Sequence, residues 1–290
     1  MKTKVLITGL SSTLMSAFAH QIDRDKYEVI GLSRKKEGLD KAFSWINGDL
    51  NDLANMPKLL SEINILVHAA ALTHVWDEKE YYRVNLVETE KLINAAVSAG
   101  VKKVVYVSSR TAGLNSGGYG KSKLLAEDLV KKSCKEWLIF RPSEVFGGSK
   151  NEGIEKLIFD AINKKVIFFP AGGEKMYPVD LEDVSSVMYL QAFVENKTNE
   201  IVTINGAEGY TYSDLIRKVA KKTGTKKILL PIPKMVMFMI RDVVKALGLK
   251  IGMVPDQVDR FYSKKETQEI AYSFKPFGLY IDELINGNLK

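Results

Sequence analysis

Cysteine and histidine are scarce in this sequence of 290 residues. There is one cysteine, Cys134, and there are three histidines. A single cysteine excludes an internal disulfide and suits a reducing compartment, so we expect a cytoplasmic protein. With so few histidine and cysteine ligands, a metal site of that type is not expected, and we predict that the protein binds no metal.

Long apolar runs and arginine-rich blocks are also lacking. No stretch supplies the roughly 18 uninterrupted apolar residues of a membrane-spanning helix, and the start MKTKVLITG lacks the pattern of a signal peptide. The formal charge of +7 comes from lysines scattered in pairs, without a basic and aromatic stripe. We therefore expect solvated basic faces, or a basic pocket for a phosphorylated small molecule, and no nucleic-acid partner.

The first half of the chain alternates regularly between β-rich and helical segments. The runs KVLITG, YEVIGLSR, INILVHAAA, VKKVVYVSS and EWLIFRPSEVFG are apolar and rich in β-branched residues, and helical patterns separate them. Such alternation implies right-handed βαβ crossovers and a parallel sheet with helices on both faces. The prediction is an α/β protein with a doubly wound, Rossmann-type parallel sheet.

The alternation loosens in the second half, where glycine and proline cluster in FFPAGGEKMYPVD and LLPIPKM. We predict a dinucleotide-binding domain over residues 1–165 and a smaller α/β substrate-binding region over 166–290, with residues of about 178–205 returning to the sheet. The segment MVMFMIRDVVKALG, which starts at Met235, is apolar with few charges. We favour a helix packed in the smaller region; a surface helix that contacts a membrane or a partner is the alternative.

The stretch LITGLSSTLM, residues 6–15, is typical of a strand that enters a phosphate-binding turn, but it is poor in glycine. In a dinucleotide fold the first glycine permits the tight turn, the second lets the backbone approach the pyrophosphate, and the third lets helix pack on strand. Gly9 holds the first position, whereas Ser12 and Met15 hold the others. Because a helix N-terminus still attracts phosphate, we predict a modified but working turn; a plain strand-to-helix turn is the alternative.

The next strand, YEVIGLSR, ends in a basic turn. An enzyme that uses NAD usually places an acid there to bind the ribose hydroxyls. This chain has Ser33, Arg34, Lys35 and Lys36, which would attract the 2′-phosphate of NADP. We therefore predict NADP as the preferred cofactor and NAD as the second choice; a solvated basic turn without a ligand is the alternative.

The segment SSRTAGLNSGGYGKSK contains the strongest chemical signal. Ser108 and Ser109 end a strand, and Tyr119 and Lys123 follow with the i, i+4 spacing that places two side chains on one helix face. A lysine ammonium beside a phenol stabilises the phenolate, so we expect the pKa of Tyr119 to be lowered. With a serine hydroxyl nearby, these groups could move a proton to or from an alcohol or carbonyl oxygen.

Taken in order, these motifs resemble the extended short-chain dehydrogenase/reductases, also called the NAD-dependent epimerase/dehydratase family. The resemblance covers nearly the whole chain, and the order and spacing of the motifs are more specific than any one of them. It is carried by LITGLSST (6–13), GDLND (48–52), LVHAAA (66–71), VN (84–85), VYVSS (105–109), YGKSKLLAE (119–127), RPSEVFG (141–147), YPVDLEDV (177–184) and INGAEGYTYSDL (204–215).

The resemblance implies roles for single residues. Ser109, Tyr119 and Lys123 would be the catalytic trio: Tyr119 is the acid/base, Ser109 polarises the reacting oxygen, and Lys123 binds the nicotinamide ribose. Substrate contacts are expected from Thr73 and Glu144. The other cofactor-binding residues would be Gly9, Ser12, Thr13, Leu14, Ser33, Arg34, Asp49, Leu50, Ala69, Ala70, Ala71 and Pro142.

Sugar dehydratases of this family resemble one another in an Asp-Glu pair directly after the catalytic serine or threonine. Here Arg110 and Thr111 follow Ser109, so dehydration is disfavoured. Oxidoreduction of a carbonyl/alcohol pair or epimerisation through a transient ketone remains, and the family context implies a nucleotide-linked sugar as substrate. The alternative from another class is a non-catalytic nucleotide-binding scaffold or regulatory subunit.

The resemblance also bears on assembly. Many relatives pair through two long helices in a four-helix bundle, and the helices expected near 78–99 and 119–133 could do so here. A homodimer is therefore predicted from the resemblance. Asn85, in the first of these helices, looks like the family's helix-bending asparagine rather than a catalyst.

Overall fold

The computed structural model describes residues 2–35, 39–148, 153–250 and 254–287. Its strands are β1 (Thr3–Thr8), β2 (Tyr27–Ser33), β3 (Ser44–Asn47), β4 (Ile65–His68), β5 (Lys103–Val107), β6 (Glu136–Pro142), β7 (Val145–Phe146), β8 (Val166–Pro170), β9 (Val179–Asp180), β10 (Glu200–Ile204) and β11 (Ile228–Ile232).

The helices are α1 (Thr13–Gln21), α2 (Leu50–Ala54), α3 (Pro57–Leu60), α4 (Glu78–Tyr82), α5 (Thr89–Ser98), α6 (Gly117–Ser133), α7 (Gly153–Asn163), α8 (Leu181–Tyr189), α9 (Tyr212–Lys222), α10 (Lys234–Leu247), α11 (Asp256–Tyr262) and α12 (Phe277–Ile285). Two π-helical segments extend them. Residues Arg83–Glu88 join α4 to α5, and residues Leu190–Val194 continue α8.

Among the described residues, seven of these strands form one parallel sheet in the order β10-β6-β5-β4-β1-β2-β3. The chain runs outward from β1 through β2 to β3 and then crosses to β4 on the other side of β1. The strand order therefore reverses between β1 and β4, and ligands of open α/β sheets bind at such a point, outside the carboxyl ends of the strands. The predicted doubly wound parallel sheet is confirmed.

Each face of this sheet buries an apolar cluster beneath helices. Val5 and Ile7 of β1 pack with Phe18 of α1 on one face, whereas Leu6 packs with Leu92 of α5 on the other. All three strand residues are fully buried. A central parallel strand that is covered on both faces needs such a continuous apolar run, which is why the uninterrupted β-branched runs of the sequence become the middle of the sheet.

A third apolar cluster belongs to the chain after β6. It includes Phe146, Leu157, Phe169 and Phe277 and lies beside the two-stranded parallel ladder of β8 and β11. In contrast, β10 pairs with β6 at the edge of the seven-stranded sheet. The division of the chain into domains at residue 165 stays a prediction.

Helix α10 is amphipathic. Met237 and Val244 are buried, as expected for a helix packed in the smaller region. The opposite face carries an exposed apolar stripe with i, i+4 spacing, here called the α10 stripe, formed by Met235, Met239, Val243 and Leu247. Packing within the chain therefore accounts for the apolar residues on one face of α10 but not for those of the α10 stripe. In the described parts of the chain, no helix is both long and apolar enough to cross a membrane.

Candidate active site

The turn after β1 lies against the end of β4. Gly9 has a φ of +76°, and a Cβ at this position would lie 2.9 Å from the Ala70 nitrogen. Thr8 Oγ1 accepts hydrogen bonds from the N–H groups of Ala69 and Ala70, both at 3.2 Å, and lies 2.7 Å from Nδ1 of the buried His68. Both the backbone angle and this close approach require glycine at position 9.

Helix α1 begins directly after this turn, without the second and third glycines. Ser12 caps the helix, because its Oγ accepts a hydrogen bond from the Met15 N–H at 3.3 Å. The Ser12 hydroxyl proton stays available for a phosphate oxygen. Thr13 and Leu14 form the first turn, where backbone N–H groups and the helix dipole favour an anion. Met15 is 1% exposed, so the core takes up the side chain that replaces glycine.

The basic turn follows β2 at the same edge of the sheet. Ser33 is buried, and its Oγ accepts a hydrogen bond from the Lys35 N–H at 3.1 Å. Arg34 and Lys35 are exposed. Lys36, the last residue of the predicted basic turn, lies outside the described residues. The cation that would attract a 2′-phosphate is therefore present at the end of β2 as Arg34.

Other cofactor candidates have structural roles at this edge. Asp49 is the N-cap of α2, and its Oδ1 accepts from the N–H groups of residues 51 and 52 at 2.8 and 3.0 Å. Leu50 is buried in an apolar cluster. Residues 69–71 follow β4 and are half-buried, and Pro142 ends β6 and is buried. Small side chains thus stand where the strand order reverses.

Asn85 connects the loop after β4 to the helix that carries Tyr119. Its Oδ1 accepts from the Leu72 N–H at 2.8 Å, and its Nδ2 donates to the Leu72 carbonyl at 3.0 Å and to Ser122 Oγ at 3.2 Å. It lies in the π-helical segment between α4 and α5, which fits the expected bend. Thr73, the next residue of the loop, has an exposed side chain.

The predicted catalytic hydroxyls lie together after β5. Ser109 Oγ accepts from the Thr111 N–H at 3.2 Å and lies 2.9 Å from Thr111 Oγ1. Tyr119, in the first turn of α6, is 9% exposed, and its phenol is near enough to the Ser109 hydroxyl for that group to act on the pKa of Tyr119. The structure therefore brings Ser109 and Tyr119 together and adds Thr111, which sequence reasoning did not include in the site.

Lys123, which is predicted to bind the nicotinamide ribose, has a buried side chain. It is 1% exposed. Its Nζ donates to the Val107 carbonyl at 2.8 Å and lies 4.1 Å from the centroid of the Tyr106 ring. Burial lowers the pKa of Lys123 to about 7, although the nearby Glu127 carboxylate opposes this shift. Lys123 is thus a buried amine at the end of β5.

The expected lowering of the Tyr119 pKa by Lys123 is wrong. Burial raises the pKa of Tyr119, while the Arg260 cation and the hydrogen bond with Ser109 oppose this rise. The Arg260 guanidinium carbon lies 4.4 Å from the centroid of the Tyr119 ring. The cation that faces the phenol therefore comes from the C-terminal region.

Arg260 is held in place by Asp256, one turn earlier in α11, through an ion pair. Asp256 Oδ1 accepts from the Tyr119 N–H at 3.1 Å. Arg260 Nη2 donates to the Thr73 carbonyl at 2.8 Å and to the Tyr81 hydroxyl at 2.9 Å. We call Asp256 and Arg260 the α11 clamp. Sequence reasoning missed it because an i, i+4 pair of opposite charges usually lies on a solvated helix face.

A cavity of about 600 Å³ opens beside these groups. Thr111, Glu144 and Arg260 are among its polar lining residues. Glu144 Oε2 accepts from the Tyr177 N–H at 3.0 Å and lies 3.6 Å from Arg110 Nη1. The predicted substrate residue Glu144 therefore lines the same cavity as Thr111, whose Oγ1 lies 2.9 Å from Ser109 Oγ.

The edge of the sheet fits a dinucleotide. Gly9 permits the tight turn, α1 begins at the strand-order reversal, and the residues at the end of β4 are small. Residues 9–14 would hold the pyrophosphate, Arg34 the adenosine ribose or its phosphate, and Lys123 the nicotinamide ribose. When bound, such a cofactor supplies or accepts hydride.

Comparisons with known proteins agree with this geometry. A sequence profile described as the NAD dependent epimerase/dehydratase family matches residues 5–204. The chain is 23% identical over 265 residues to a UDP-glucose 4-epimerase of Vibrio cholerae, with 80% of each chain covered. It is 24% identical over 237 residues to a ceramide reductase of Caulobacter vibrioides, with 79% of this chain and 73% of the relative covered.

A solved structure described as MoeE5 in complex with UDP-glucose and NAD has a TM-score of 0.66 to this chain. The two are 24% identical, and 79% of this chain and 85% of that one are covered.

Replacing Lys123 by methionine should change how stability depends on pH. The pKa of this amine is about 7 in the folded protein and 10.5 in an unperturbed lysine. Between these values the unfolded chain binds more protons, so the free energy of unfolding of the wild type rises with pH; the cost of burying the amine is full below about pH 7. Urea unfolding should therefore show that Lys123→Met gains most over the wild type near pH 7 and progressively less toward about pH 10.

Lys121→Met is the matched control for this experiment. Lys121 lies on the same helix and is exposed, so its removal should leave the pH dependence of the wild type unchanged. Parallel pH profiles for Lys123→Met and the wild type would mean that Lys123 does not titrate differently in the folded protein.

Proposed function

The chain belongs to the NAD-dependent epimerase/dehydratase family of extended short-chain dehydrogenase/reductases, and on this premise we propose that it is an enzyme that transfers hydride at a secondary alcohol or ketone carbon. The observation that carries the proposal is the neighbouring placement of the Ser109 and Thr111 hydroxyls, 2.9 Å apart, and the buried Tyr119 phenol on which Ser109 acts. These groups lie beside a cavity and at the cofactor-binding edge of the sheet.

Each catalytic residue has a stated task in this reaction. Ser109 donates a hydrogen bond to the reacting oxygen, and Tyr119 gives a proton to that oxygen during reduction or takes one during oxidation. Burial raises the pKa of Tyr119, so the phenol stays protonated and acts as an acid in reduction. Arg260 and Ser109 stabilise the phenolate that remains after the proton has left.

The residues after Ser109 weigh against dehydration. Arg110 stands where a dehydratase has a carboxylate, and its guanidinium donates to the carbonyls of Glu266 and Lys175 at 3.0 and 3.1 Å. It therefore serves as a buried structural cation and not as an acid or base for the loss of water. We propose a reductase or an epimerase, in which only hydride and one proton move.

The expected nucleotide-sugar substrate depends on the family and on relatives. One relative is a UDP-glucose 4-epimerase, and one similar structure contains UDP-glucose and NAD. Another relative is a ceramide reductase, so family membership by itself leaves two substrate classes. We propose that residues 166–290 supply the substrate contacts and that the reaction takes place in the cytoplasm, as the single cysteine suggests.

Tyr119→Phe tests the reaction directly. Removal of a general acid/base should lower turnover by roughly 10²–10⁴-fold without changing the dissociation constant for NADPH or NADH more than about twofold. Turnover is followed by the absorbance of the reduced nicotinamide with a panel of ketones and keto-sugar nucleotides.

Tyr106→Phe is the matched control. The Tyr106 hydroxyl is buried and has no hydrogen-bond partner among the described residues, so its loss should leave turnover and cofactor binding intact. Full activity of Tyr119→Phe would remove Tyr119 from the mechanism.

We propose NADP as the preferred cofactor because Arg34 is exposed at the end of β2. Arg34→Ala should weaken NADPH binding by about tenfold or more, as expected for a lost charge-assisted hydrogen bond, and leave NADH binding unchanged. Lys26→Ala removes an exposed cation at the other end of the same strand and is the control.

Calorimetric titration with both cofactors decides whether the turn after β2 binds the 2′-phosphate of NADP or is a solvated basic turn without a ligand. Equal affinity of the wild type for NADPH and NADH would contradict the NADP preference. If neither cofactor binds, the result would contradict the proposal that the protein is an enzyme. It would favour the alternative of a non-catalytic scaffold.

A homodimer through α4, α5 and α6 remains a prediction. Val87, in the π-helical segment between α4 and α5, and Val97 of α5 are exposed apolar side chains, and burial between subunits would shield them from water. Light scattering after size-exclusion chromatography should give twice the chain mass for the wild type and a smaller mass for Val87→Lys with Val97→Lys. A monomer mass for the wild type would contradict the dimer.

A further inference from the structure

The cavity beside the catalytic hydroxyls is lined mainly by apolar side chains. Its polar end is formed by Glu144, Arg260 and Thr111, whose Oγ1 lies 2.9 Å from Ser109 Oγ. Further polar side chains on its lining are Lys156, Asp160, Gln257 and Lys265. Away from that end the walls are formed largely by β8, α7, α10 and α11, with side chains such as Leu157, Phe168, Phe169, Met237, Ile240 and Phe261.

The cations at this cavity are already engaged. Arg260 pairs with Asp256, and Lys156 lies 3.1 Å from the Asp160 carboxylate. Lys265 Nζ donates a long hydrogen bond to the Phe261 carbonyl at 3.4 Å. The Glu144 carboxylate is a nearby opposite charge. A diphosphate needs several free N–H groups or cations to replace its hydration. Among the described lining residues, the two carboxylates, Glu144 and Asp160, oppose it.

We infer that the substrate carries an elongated apolar group, which fills this cavity, and that its ketone or secondary alcohol lies at the polar end beside Thr111. The inference rests on the proposed hydride transfer and specifies its substrate class. Burial of the apolar group supplies binding energy remote from the reacting carbon, while Ser109 and Tyr119 act on the oxygen.

The entrance of the cavity is apolar as well. Phe168 lines the cavity and is 67% exposed. It shares one face of the β8–β11 ladder with Val166, Ile228 and Leu230, which are also exposed. Met239 of the α10 stripe directly precedes Ile240 of the cavity wall, while the rest of the stripe extends along the outer face of the same helix. An apolar chain can therefore enter over apolar surface, either as a free molecule or from a lipid bilayer.

A series of 2-alkanones of increasing chain length tests the substrate class on the full chain with NADP⁺ bound, because the oxidised cofactor has no hydride to transfer to the ketone. If the cavity takes an apolar chain, calorimetry should show affinity rising about fourfold for each added methylene until the cavity is filled. UDP-glucose at the same concentrations should neither bind nor displace the longest ketone. Affinity that is independent of chain length, or displacement by UDP-glucose, would overturn the inference.

Two adjacent residues of α10 supply the matched variants. Ile240 lines the cavity, whereas Met239 lies in the exposed α10 stripe. Ile240→Asp places a carboxylate in the cavity and should weaken binding of the longest ketone by at least about tenfold, with Ile240→Ser as a milder variant; Met239→Asp should bind it normally. Equal binding by all three and the wild type would contradict the cavity assignment. Unchanged NADPH affinity and unfolding midpoint establish that each variant is folded.

Two readouts separate failure of the inference from failure of the proposed function. Ketones that bind according to chain length in a protein that never oxidises NADPH would contradict the hydride transfer and leave the cavity assignment standing. Oxidation of NADPH by keto-sugar nucleotides but not by alkanones would support the hydride transfer and contradict the assignment of the cavity to an apolar group. Turnover of a long ketone offered in phosphatidylcholine–phosphatidylglycerol vesicles identifies the source: its loss in Met239→Asp supports uptake from the bilayer, and its retention supports uptake from solution.

Discussion

The ion pair between Asp256 and Arg260 is the interaction on which the active site depends. Asp256 accepts the backbone N–H of Tyr119, and Arg260 lies over the Tyr119 ring and donates to the loop carbonyl of Thr73. One short helix thereby fixes the catalytic helix, the loop after β4 and the apolar cavity against one another. The contact is so close that a side chain on Gly117, which has a φ of +63°, would overlap the Asp256 carboxylate.

Buried charge is the second feature that shapes the site. Among the described residues, the close partners of Lys123 Nζ are the Val107 carbonyl and the Tyr106 ring. Glu127, fully buried, accepts from Arg141 at 2.6 and 2.9 Å and from the Ser108 hydroxyl. Each buried charge costs free energy unless it is paired. Burial of the Lys123 amine at the end of β5 therefore makes the fold around α6 less stable.

The two halves of the site respond to different constraints. The cofactor edge depends on the backbone, because a tight turn, a helix N-terminus and small residues bind any dinucleotide, and Met15 in the core does not prevent this. The substrate cavity depends on side chains from α7, β8, α10 and α11. Members of one family can therefore share hydride chemistry while their substrates differ in polarity.

The sequence by itself determined the parallel sheet, the turn at Gly9 and the placement of Tyr119 and Lys123 one turn apart in one helix, because these follow from local patterns. β-branched runs form buried strands, and spacing within one helix or one turn sets their geometry. Only the tertiary structure decided that Arg260, rather than Lys123, faces Tyr119. It also decided that α10 leaves an apolar stripe exposed and that the cavity is apolar. These features bring together residues far apart in the chain, and no local spacing encodes which distant side chains meet.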